Sequence, residues 1–267
     1  MDCNHLFIAS LNSGSNGNCY YVGNSKEAIL VDAGISCRET EKRMLRLGLS
    51  MQKVKAIFIS HEHTDHIKGL ANLAAKYNLP IYINPGTLAG CRFNLREDLI
   101  RQLHYDTQVQ IGGLQVTGFP KIHDASEPYS FVITCGKTKV GVFTDIGATC
   151  EQLTYHFQQC HAAFLEANYD DELLQKSAYP YFLKKRISGG RGHLSNKQAL
   201  ELFTSHKPAF MTHLLLAHLS KDNNCPELVS DLFTQHANGT EIIVASRYEE
   251  TKVYTIFEPE PAVVHSS

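Results

Sequence analysis

The chain has 267 residues, enough for one large domain or two small ones, and its 43% hydrophobic and 19% charged residues are typical of a globular protein. No segment is long and apolar enough to span a membrane, and residues 1–10 lack a basic stretch ahead of an apolar one, so we expect a cytoplasmic protein with no membrane partner. The net charge of −2 excludes a strongly basic protein, although a local basic cluster can still bind a phosphate backbone.

Short apolar segments, bounded by turn-forming residues, predict twelve strands along the chain. They are Leu6–Ala9, Cys19–Val22, Ala28–Val31, Ala56–Ile59, Ile81–Ile83, Leu114–Phe119, Ser130–Thr134, Lys139–Thr144, Ala162–Leu165, Phe210–Leu216, Ile242–Ala245 and Lys252–Phe257.

Helices between these strands have recognisable ends: a Ser with Glu or Gln three residues later forms a capping box, Pro opens a helix and Gly closes one. These residues are Ser36 with Glu39 and Gly48, Ser195 with Gln198, and Pro226 with Gly239. Strands first in meanders and then alternating with helices predict an α/β (α+β) fold, a four-layer αββα sandwich. We expect a single domain over 1–257 and a flexible tail over 258–267.

The segment from His61 to His66 places three histidines and an aspartate within six residues, directly after the predicted strand Ala56–Ile59. In an extended segment His61 and His63 project to the same side and can bind one cation together. Asp65 and His66 come where helical spacing begins, so they face another direction and suit a second cation. A polar loop that is merely rich in histidine is the alternative, and few loops after an apolar strand have this density of ligands.

Further metal-binding side chains follow later strands. His123, Asp145 and His218 each come where an apolar segment ends, which is a common position for functional side chains in layered folds. Taken singly, each could be a polar residue in a turn. The cysteines, by contrast, form no Cys-x-x-Cys pair, which argues against a zinc ribbon and a thioredoxin-like redox site.

The series His61-x-His63-x-Asp65-His66, His123, Asp145 and His218 resembles the ligand series of the metallo-β-lactamase fold superfamily. The resemblance implies one metal on His61, His63 and His123, a second on Asp65, His66 and His218, and Asp145 as the bridge. Flavodiiron members carry Glu at the position of His63, so oxygen or nitric oxide reduction is not expected. True β-lactamases usually lack the histidine at His66 and have Cys at the position of Asp145.

A narrower resemblance covers most of the chain. Ser13-Gly14-Ser15-Asn16-Gly17-Asn18-Cys19 is similar to a loop of the YycJ/WalJ group, and four further motifs match it. They are Leu30-Val31-Asp32-Ala33-Gly34-Ile35, Leu165-Glu166-Ala167-Asn168, Gly192-His193-Leu194-Ser195-Asn196, and His218-Leu219-Ser220 followed by Asn223-Asn224. The group is regarded as DNA-processing, which implies a 5′-to-3′ exonuclease and a role in DNA repair. Tyr169 departs from the group, which often has His there.

Two cations about 3.5–4 Å apart can share a water and lower its pKa from 15.7 towards roughly 7, so that a bridging hydroxide attacks a phosphodiester. The ligands suit Zn²⁺ or Mn²⁺, and iron also accepts them. Asp65 and Asp145 are the expected catalytic carboxylates. His193 is expected to protonate the leaving oxygen, because the similar ribonuclease Z branch has a helper histidine ahead of a capped helix. A histidine satisfied by the helix backbone is the alternative.

Substrate contacts are predicted at two places. The glycine-rich loop with Ser13, Ser15 and Asn16 can form an anion-binding turn for a terminal phosphate, although a plain hairpin explains the same residues. The basic residues Lys184, Lys185, Arg186 and Arg191 precede His193, and we expect this cluster to follow a nucleic-acid backbone. Ser195 is expected to be a further substrate contact. A solvated surface cluster is the alternative.

These observations predict a binuclear, metal-dependent phosphodiesterase, a 5′-to-3′ exonuclease acting on DNA ends with a 5′ phosphate. A small-molecule ester, thioester or lactone hydrolase of the glyoxalase II or lactonase type is the alternative enzyme. A non-catalytic, metal-stabilised binding module is the third, and the long ligand series argues against it because structural zinc sites usually have four protein ligands.

Overall fold

The structure is a computed structural model that describes residues 5–105 and 107–257. The helices and strands within these residues follow one another in this order: β1 (His5–Asn12), β2 (Cys19–Gly23), β3 (Ala28–Val31), α1 (Cys37–Arg46), β4 (Val54–Phe58), α2 (Thr64–Ile67), α3 (Leu70–Tyr77), β5 (Ile81–Ile83), α4 (Pro85–Gly90), β6 (Ile100–Gln102), β7 (Gln108–Ile111), β8 (Leu114–Pro120), β9 (Tyr129–Cys135), β10 (Thr138–Phe143), α5 (Glu151–Phe157), β11 (Ala162–Glu166), α6 (Asp171–Lys176), α7 (Tyr181–Ser188), α8 (Asn196–His206), β12 (His213–Ala217), α9 (Pro226–Thr234), β13 (Glu241–Val244) and β14 (Tyr254–Phe257). The predicted tail over 258–267 lies outside the described residues. Within them, no helix combines the length and apolar character needed to cross a bilayer.

Two mixed seven-stranded sheets form the centre of the fold. Their strand orders are β14-β1-β2-β3-β4-β5-β6 and β13-β12-β11-β10-β9-β8-β7. Strands β3 to β6 run parallel in the first sheet, and β10 to β13 run parallel in the second. The carboxyl ends of neighbouring parallel strands share one edge of a sheet, so residues that follow these strands are brought together.

The alternation of side chains along each strand produces three apolar layers. In β1, Leu6 and Ile8 pack between the sheets, whereas Ala9 and Leu11 face the layer that contains α1 and α3. The outer face of the second sheet is covered by α5, α8 and α9. The predicted four-layer αββα sandwich is therefore confirmed, while its extent as a single domain over 1–257 stays a prediction.

All twelve predicted strands are present, and two more, β6 and β7, were missed. Both lie at sheet edges, and their exposed polar side chains, such as Arg101 and Gln108, weaken the apolar pattern. Strand β12 begins at His213, later than predicted. Helix α9 ends at Thr234, so Gly239 lies beyond its end and does not close it.

The helix predicted after His66 is divided into α2 and α3. Gly69 separates them, and a Cβ on Gly69 would lie 1.9 Å from the carbonyl oxygen of Ile35. Likewise, a Cβ on Gly34 would lie 1.7 Å from the carbonyl oxygen of Asp65. Both glycines thus allow the backbone after β3 to pack against the segment that carries the histidines.

Two of the predicted helix starts have their caps. Ser195 and Gln198 form the full capping box of α8. Ser36 caps α1 by accepting from the amide of Glu39, but the Glu39 carboxylate pairs with Arg43, so only half of that box forms.

The cap of α8 gives a stability prediction. Replacing Ser195→Ala removes the acceptor for the amide of Gln198, and we expect the free energy of unfolding to fall by about 1 kcal/mol in a urea titration. Ser205→Ala, at the exposed end of the same helix, is the control and should change it by less than about 0.5 kcal/mol. Equal losses in both variants would contradict the capping role.

Candidate metal centre

Polar side chains meet where the parallel strands of the two sheets end. In the first sheet, the segment 61–66 follows β4. In the second sheet, Asp145 follows β10, Glu166 ends β11 and His218 follows β12. The edge of one sheet thus faces the edge of the other across a cluster of imidazoles and carboxylates, most of them buried.

The first group of nitrogens, the histidine triad, consists of His61, His63 and His123. Nδ1 of His63 lies 3.1 Å from Nε2 of His61 and 3.3 Å from Nε2 of His123. Nitrogens about 2.0–2.1 Å from a tetrahedral zinc ion are roughly 3.3 Å apart, so the spacing fits one divalent cation.

The second group joins Asp65, His66 and His218. Oδ2 of Asp65 lies 3.5 Å from Nε2 of His66 and 3.4 Å from Nε2 of His218. These side chains form a second group of possible metal-binding atoms, and His61, His66 and Asp145 form a further group that links it to the histidine triad.

Asp145 lies between the two groups. Its Oδ2 is 3.1 Å from Nε2 of His66, and its Oδ1 is 3.5 Å from Nε2 of His218 and 3.9 Å from Nε2 of His123. Oδ2 is buried, and its close contact with His66 is an ion-pair contact and not a hydrogen bond of standard geometry. A buried carboxylate oxygen without such a hydrogen bond is costly, and a divalent cation between Asp145 and His66 is a partner that this position fits.

Asp32 and Ser60 fix the orientation of two of these imidazoles. Nδ1 of His66 lies 2.7 Å from Oδ2 of Asp32 and donates to it. The hydroxyl of Ser60 donates to the same oxygen at 2.8 Å and therefore accepts from Nδ1 of His61 at 2.9 Å. With Nδ1 protonated in both rings, each Nε2 presents its lone pair to the centre.

Glu166 has the same role on the other side of the centre. Its Oε1 accepts from Nδ1 of His218 at 3.0 Å and from Nδ1 of His193 at 2.8 Å. Its Oε2 accepts from the amides of Ile146 at 2.7 Å and Leu194 at 3.2 Å. This carboxylate therefore orients two imidazoles while its second oxygen is satisfied by the backbone.

His123 is oriented by a backbone carbonyl. Its Nδ1 donates to the oxygen of Gly192 at 2.9 Å, which leaves Nε2 free for the histidine triad. Four of the imidazoles that face a predicted metal position thus have Nδ1 bonded to protein and Nε2 directed inwards, an arrangement typical of metal-binding histidines.

Sequence reasoning did not name Asp32 or Glu166 as site residues, although both lie in motifs that carried the family resemblance. Each is fully buried and directly follows or ends an apolar strand. Aspartate and glutamate are almost never fully buried unless they are paired. A carboxylate at the end of so apolar a strand was therefore a usable indication.

Asp32, Asp145 and His218 have left-handed backbone conformations, with φ values of 62°, 55° and 57°. This region is unfavourable for residues other than glycine, although Asp and His adopt it more often than most. Such residues cost on the order of 1–3 kcal/mol each and cluster at functional sites.

Burial and neighbouring charges divide the imidazoles into two classes. Burial lowers the pKa of His61 well below its usual value and that of His123 to about 4. Burial also disfavours charge on His66 and His218, but Asp145 and neighbouring carboxylates raise the pKa of His66 well above its usual value and that of His218 to about 10. Without a cation, His66 and His218 are therefore protonated at pH 7, whereas His61 and His123 are neutral.

His193 lies at the solvent side of the centre. Its Nδ1 is 3.7 Å from Oδ1 of Asp145, and its side chain is 21% exposed whereas that of Asp145 is 2% exposed. A substrate at the centre can therefore reach His193.

Ser13 is buried, and this differs from its expected role as a substrate contact. Its hydroxyl accepts from the backbone amide of His218 at 2.7 Å and lies 2.8 Å from the hydroxyl of Tyr20. Ser195 is also buried, as the cap of α8. Neither hydroxyl has a surface through which it could contact a substrate.

The glycine-rich loop does not present a row of free amides. The amides of Gly14, Gly17 and Asn18 donate within the protein, that of Asn18 to the carbonyl of Asp65 at 2.7 Å. The loop therefore supports the second group of ligands, which explains its composition without an anion. Ser15 and Asn16 are exposed at its tip.

The predicted basic residues lie near the same edge. Lys185, Arg186 and Arg191 are exposed, and Nε of Arg186 pairs with Oδ2 of Asp124 at 2.6 Å. Because Asp124 is adjacent to His123, this ion pair joins α7 to the histidine triad.

Comparison with known proteins places this arrangement in a family. The family described as Beta-lactamase superfamily domain matches residues 27–218. The exodeoxyribonuclease YycJ of Bacillus anthracis is 36% identical over 231 residues, which cover 84% of this chain and 86% of that protein. The chain belongs to the metallo-β-lactamase fold superfamily, in the YycJ/WalJ group.

Two further comparisons agree. The exodeoxyribonuclease WalJ of Streptococcus pneumoniae is 30% identical over 223 residues, covering 82% of this chain and 83% of that protein. The metallo-β-lactamase fold protein YhfI of Bacillus subtilis is 17% identical, with a TM-score of 0.74 over 94% of this chain and 99% of that one. YhfI supports the fold alone. The predicted fold and family are confirmed.

Metal loading should release protons. Binding needs an unprotonated Nε2 on His66 and His218, so loading the metal-free protein with Zn²⁺ at pH 7 should release at least about two protons, measured calorimetrically in buffers of different ionisation enthalpy. His236→Gln, an exposed position, is the control and should leave the number unchanged. Binding without proton release would contradict the assigned charge states.

Replacing Glu166→Gln should weaken metal binding by about 10–100-fold, because the amide no longer holds His218 in its metal-binding orientation as a carboxylate does. Competition with a chromogenic chelator measures the affinity. Glu201→Gln, an exposed change on α8, should retain the original affinity. If both variants bind zinc like the unchanged protein, Glu166 does not support the centre.

Proposed function

We propose that this protein is a metal-dependent nuclease that removes nucleotides from the 5′ ends of DNA. The observation that carries the proposal is the 36% identity to the exodeoxyribonuclease YycJ across 84% of the chain. The imidazole and carboxylate cluster at the sheet edges supports hydrolysis at divalent cations.

We assign two cation positions to the centre. His61, His63 and His123 would hold one cation, and Asp65, His66 and His218 the other. Asp145 would bridge them, as its position between the two groups suggests. The mixture of imidazole and carboxylate suits Zn²⁺ or Mn²⁺, and iron is compatible with it.

When bound, a pair of cations supplies hydroxide at neutral pH and offsets the charge that develops on a phosphodiester. The reaction forms a new P–O bond to the attacking oxygen and breaks the P–O3′ bond, so the leaving 3′-oxygen needs a proton. His193 can supply it from Nε2, because its Nδ1 is held by Glu166 and its Nε2 is left to face the substrate. Water restores that proton after each cycle.

Helix α7 supports a nucleic acid substrate. None of its residues is buried, and Tyr181 and Phe182 are 76% and 72% exposed beside Lys185 and Arg186. Exposed aromatic rings among cations are typical of surfaces on which bases stack and phosphates pair. A hydrolase of small esters has no need of such a surface, so we rank the small-molecule hydrolase second.

Some aspects of the proposal come from the sequence alone. The preference for a 5′ phosphate and the role in DNA repair stay predictions, as does the cytoplasmic location. Ser15, Asn16, Lys185, Arg186 and Arg191 remain the proposed substrate contacts, and all of them are exposed.

Duplex DNA labelled at its 3′ end tests the function. In the presence of Mn²⁺ the label should pass through progressively shorter fragments, because nucleotides are removed from the 5′ end. Asp145→Asn should lower the rate at least 100-fold through loss of the proposed bridge, while Asp231→Asn, an exposed aspartate on α9, should not. Turnover of a thioester or lactone with no loss of DNA would favour the small-molecule hydrolase instead.

A further inference from the structure

A cleft of about 840 Å³ opens beside the histidine triad, and six of the residues that line it define it here. They are Glu62, His63, Lys68, Arg92, Phe93 and Ser126. We propose that this cleft binds the 5′-terminal nucleotide of the substrate strand, the unit that is removed. This inference rests on the proposed nuclease function and adds a binding site for the end of the strand.

The cleft is continuous with the metal centre through one side chain. His63 lines the cleft, and its Nδ1 lies 3.1 Å from Nε2 of His61 in the triad. A group bound in the cleft therefore lies next to the predicted position of a cation. The phosphodiester on the 3′ side of that group would be the bond at the centre.

Two positively charged side chains in the cleft are available to bind a phosphate. Lys68 and Arg92 are both exposed, and neither forms an ion pair within the part of the chain that the structure describes. A terminal phosphate carries nearly two negative charges at neutral pH, and Arg can bind its oxygens in a bidentate way. These side chains are thus better placed for the 5′ phosphate than the glycine-rich loop, whose amides are largely occupied.

The remaining walls suit a nucleoside. Phe93 is 36% exposed and offers a ring on which a base can stack. Oε1 of Glu62 accepts from the amide and hydroxyl of Ser126 at 2.8 and 2.7 Å. The other oxygen, Oε2, is buried without a partner among the described residues, and it can accept from an amino or hydroxyl group of the ligand.

The size of the cleft is sufficient for a nucleotide. Its volume is within the range of about 300–1,000 Å³ of small-ligand sites. The short segment from His123 to Ser126 separates it from α7, since Asp124 pairs with Arg186 and Ser126 with Glu62. The terminal nucleotide would thus occupy the cleft while the rest of the strand follows α7.

Equilibrium binding tests the site directly. We expect deoxyadenosine 5′-monophosphate to bind the zinc-loaded protein at least tenfold more tightly than deoxyadenosine, measured by calorimetry. Lys68→Ala combined with Arg92→Ala should abolish this difference by weakening only the monophosphate. Phe93→Ala should weaken both ligands. A double variant of exposed cations outside the cleft, Arg38→Ala with Lys53→Ala, is the matched control and should behave like the unchanged protein.

Degradation assays on DNA distinguish the terminal nucleotide of a strand from a free nucleotide as the ligand of the cleft. With 5′-phosphorylated duplex, Lys68→Ala with Arg92→Ala should lower kcat/KM at least tenfold, and its effect on a 5′-hydroxyl duplex should be much smaller. If the unchanged protein degrades DNA and the double variant matches it in every assay, the cleft proposal is overturned and the nuclease stands. If the double variant loses monophosphate binding but the unchanged protein degrades no DNA, the terminal-nucleotide assignment falls in favour of a free nucleotide.

Discussion

The burial of carboxylates at the meeting edges of the two sheets is the constraint on which the rest of this structure depends. Asp32, Asp145 and Glu166 are each at most 1% exposed. An ionised carboxylate in such a place costs several kcal/mol unless donors or cations surround it. Imidazole N–H groups, a serine hydroxyl and backbone amides meet this need for Asp32 and Glu166, while one oxygen of Asp145 is left for a cation.

The same constraint determines the backbone nearby. Asp32 directly follows β3 and His218 directly follows β12, and both have left-handed conformations that redirect the side chain from the strand to the centre. The close approach at Gly34 and Gly69 then brings the histidine segment towards Asp32. Parallel strands, left-handed residues and glycines together convert ligands that are distant in the chain into one cluster.

Sequence reasoning predicted the parts of this arrangement that depend on local pattern. Apolar alternation identified every strand with a buried face, and it failed at β6 and β7 because edge strands expose polar side chains. The segment from His61 to His66 identified the metal centre because its metal-binding residues are neighbours in the chain. His123, Asp145 and His218 were recognised at strand ends, although each taken singly also suited a turn. Their division between two metals came from the family resemblance, and Glu166 was not assigned a role.

The wrong predictions of substrate contacts concern residues whose burial or hydrogen-bond partners depend on distant parts of the chain. Ser13 meets the amide of His218, a contact across 205 positions that nothing in the glycine-rich loop could indicate. Ser195 caps α8 as predicted, but because it is buried it cannot also contact a substrate. The cleft beside His63 was not predicted, because Lys68, Arg92 and Ser126 form no motif along the chain.

The hydrogen bond between His123 and the carbonyl of Gly192 joins two parts of the molecule that differ in burial. Gly192 lies in the short connection between α7, which has no buried residue, and His193. This connection supplies the acceptor for the imidazole of His123 and the backbone that carries the imidazole of His193. The orientation of two side chains of the centre therefore depends on a segment that emerges directly from an exposed helix.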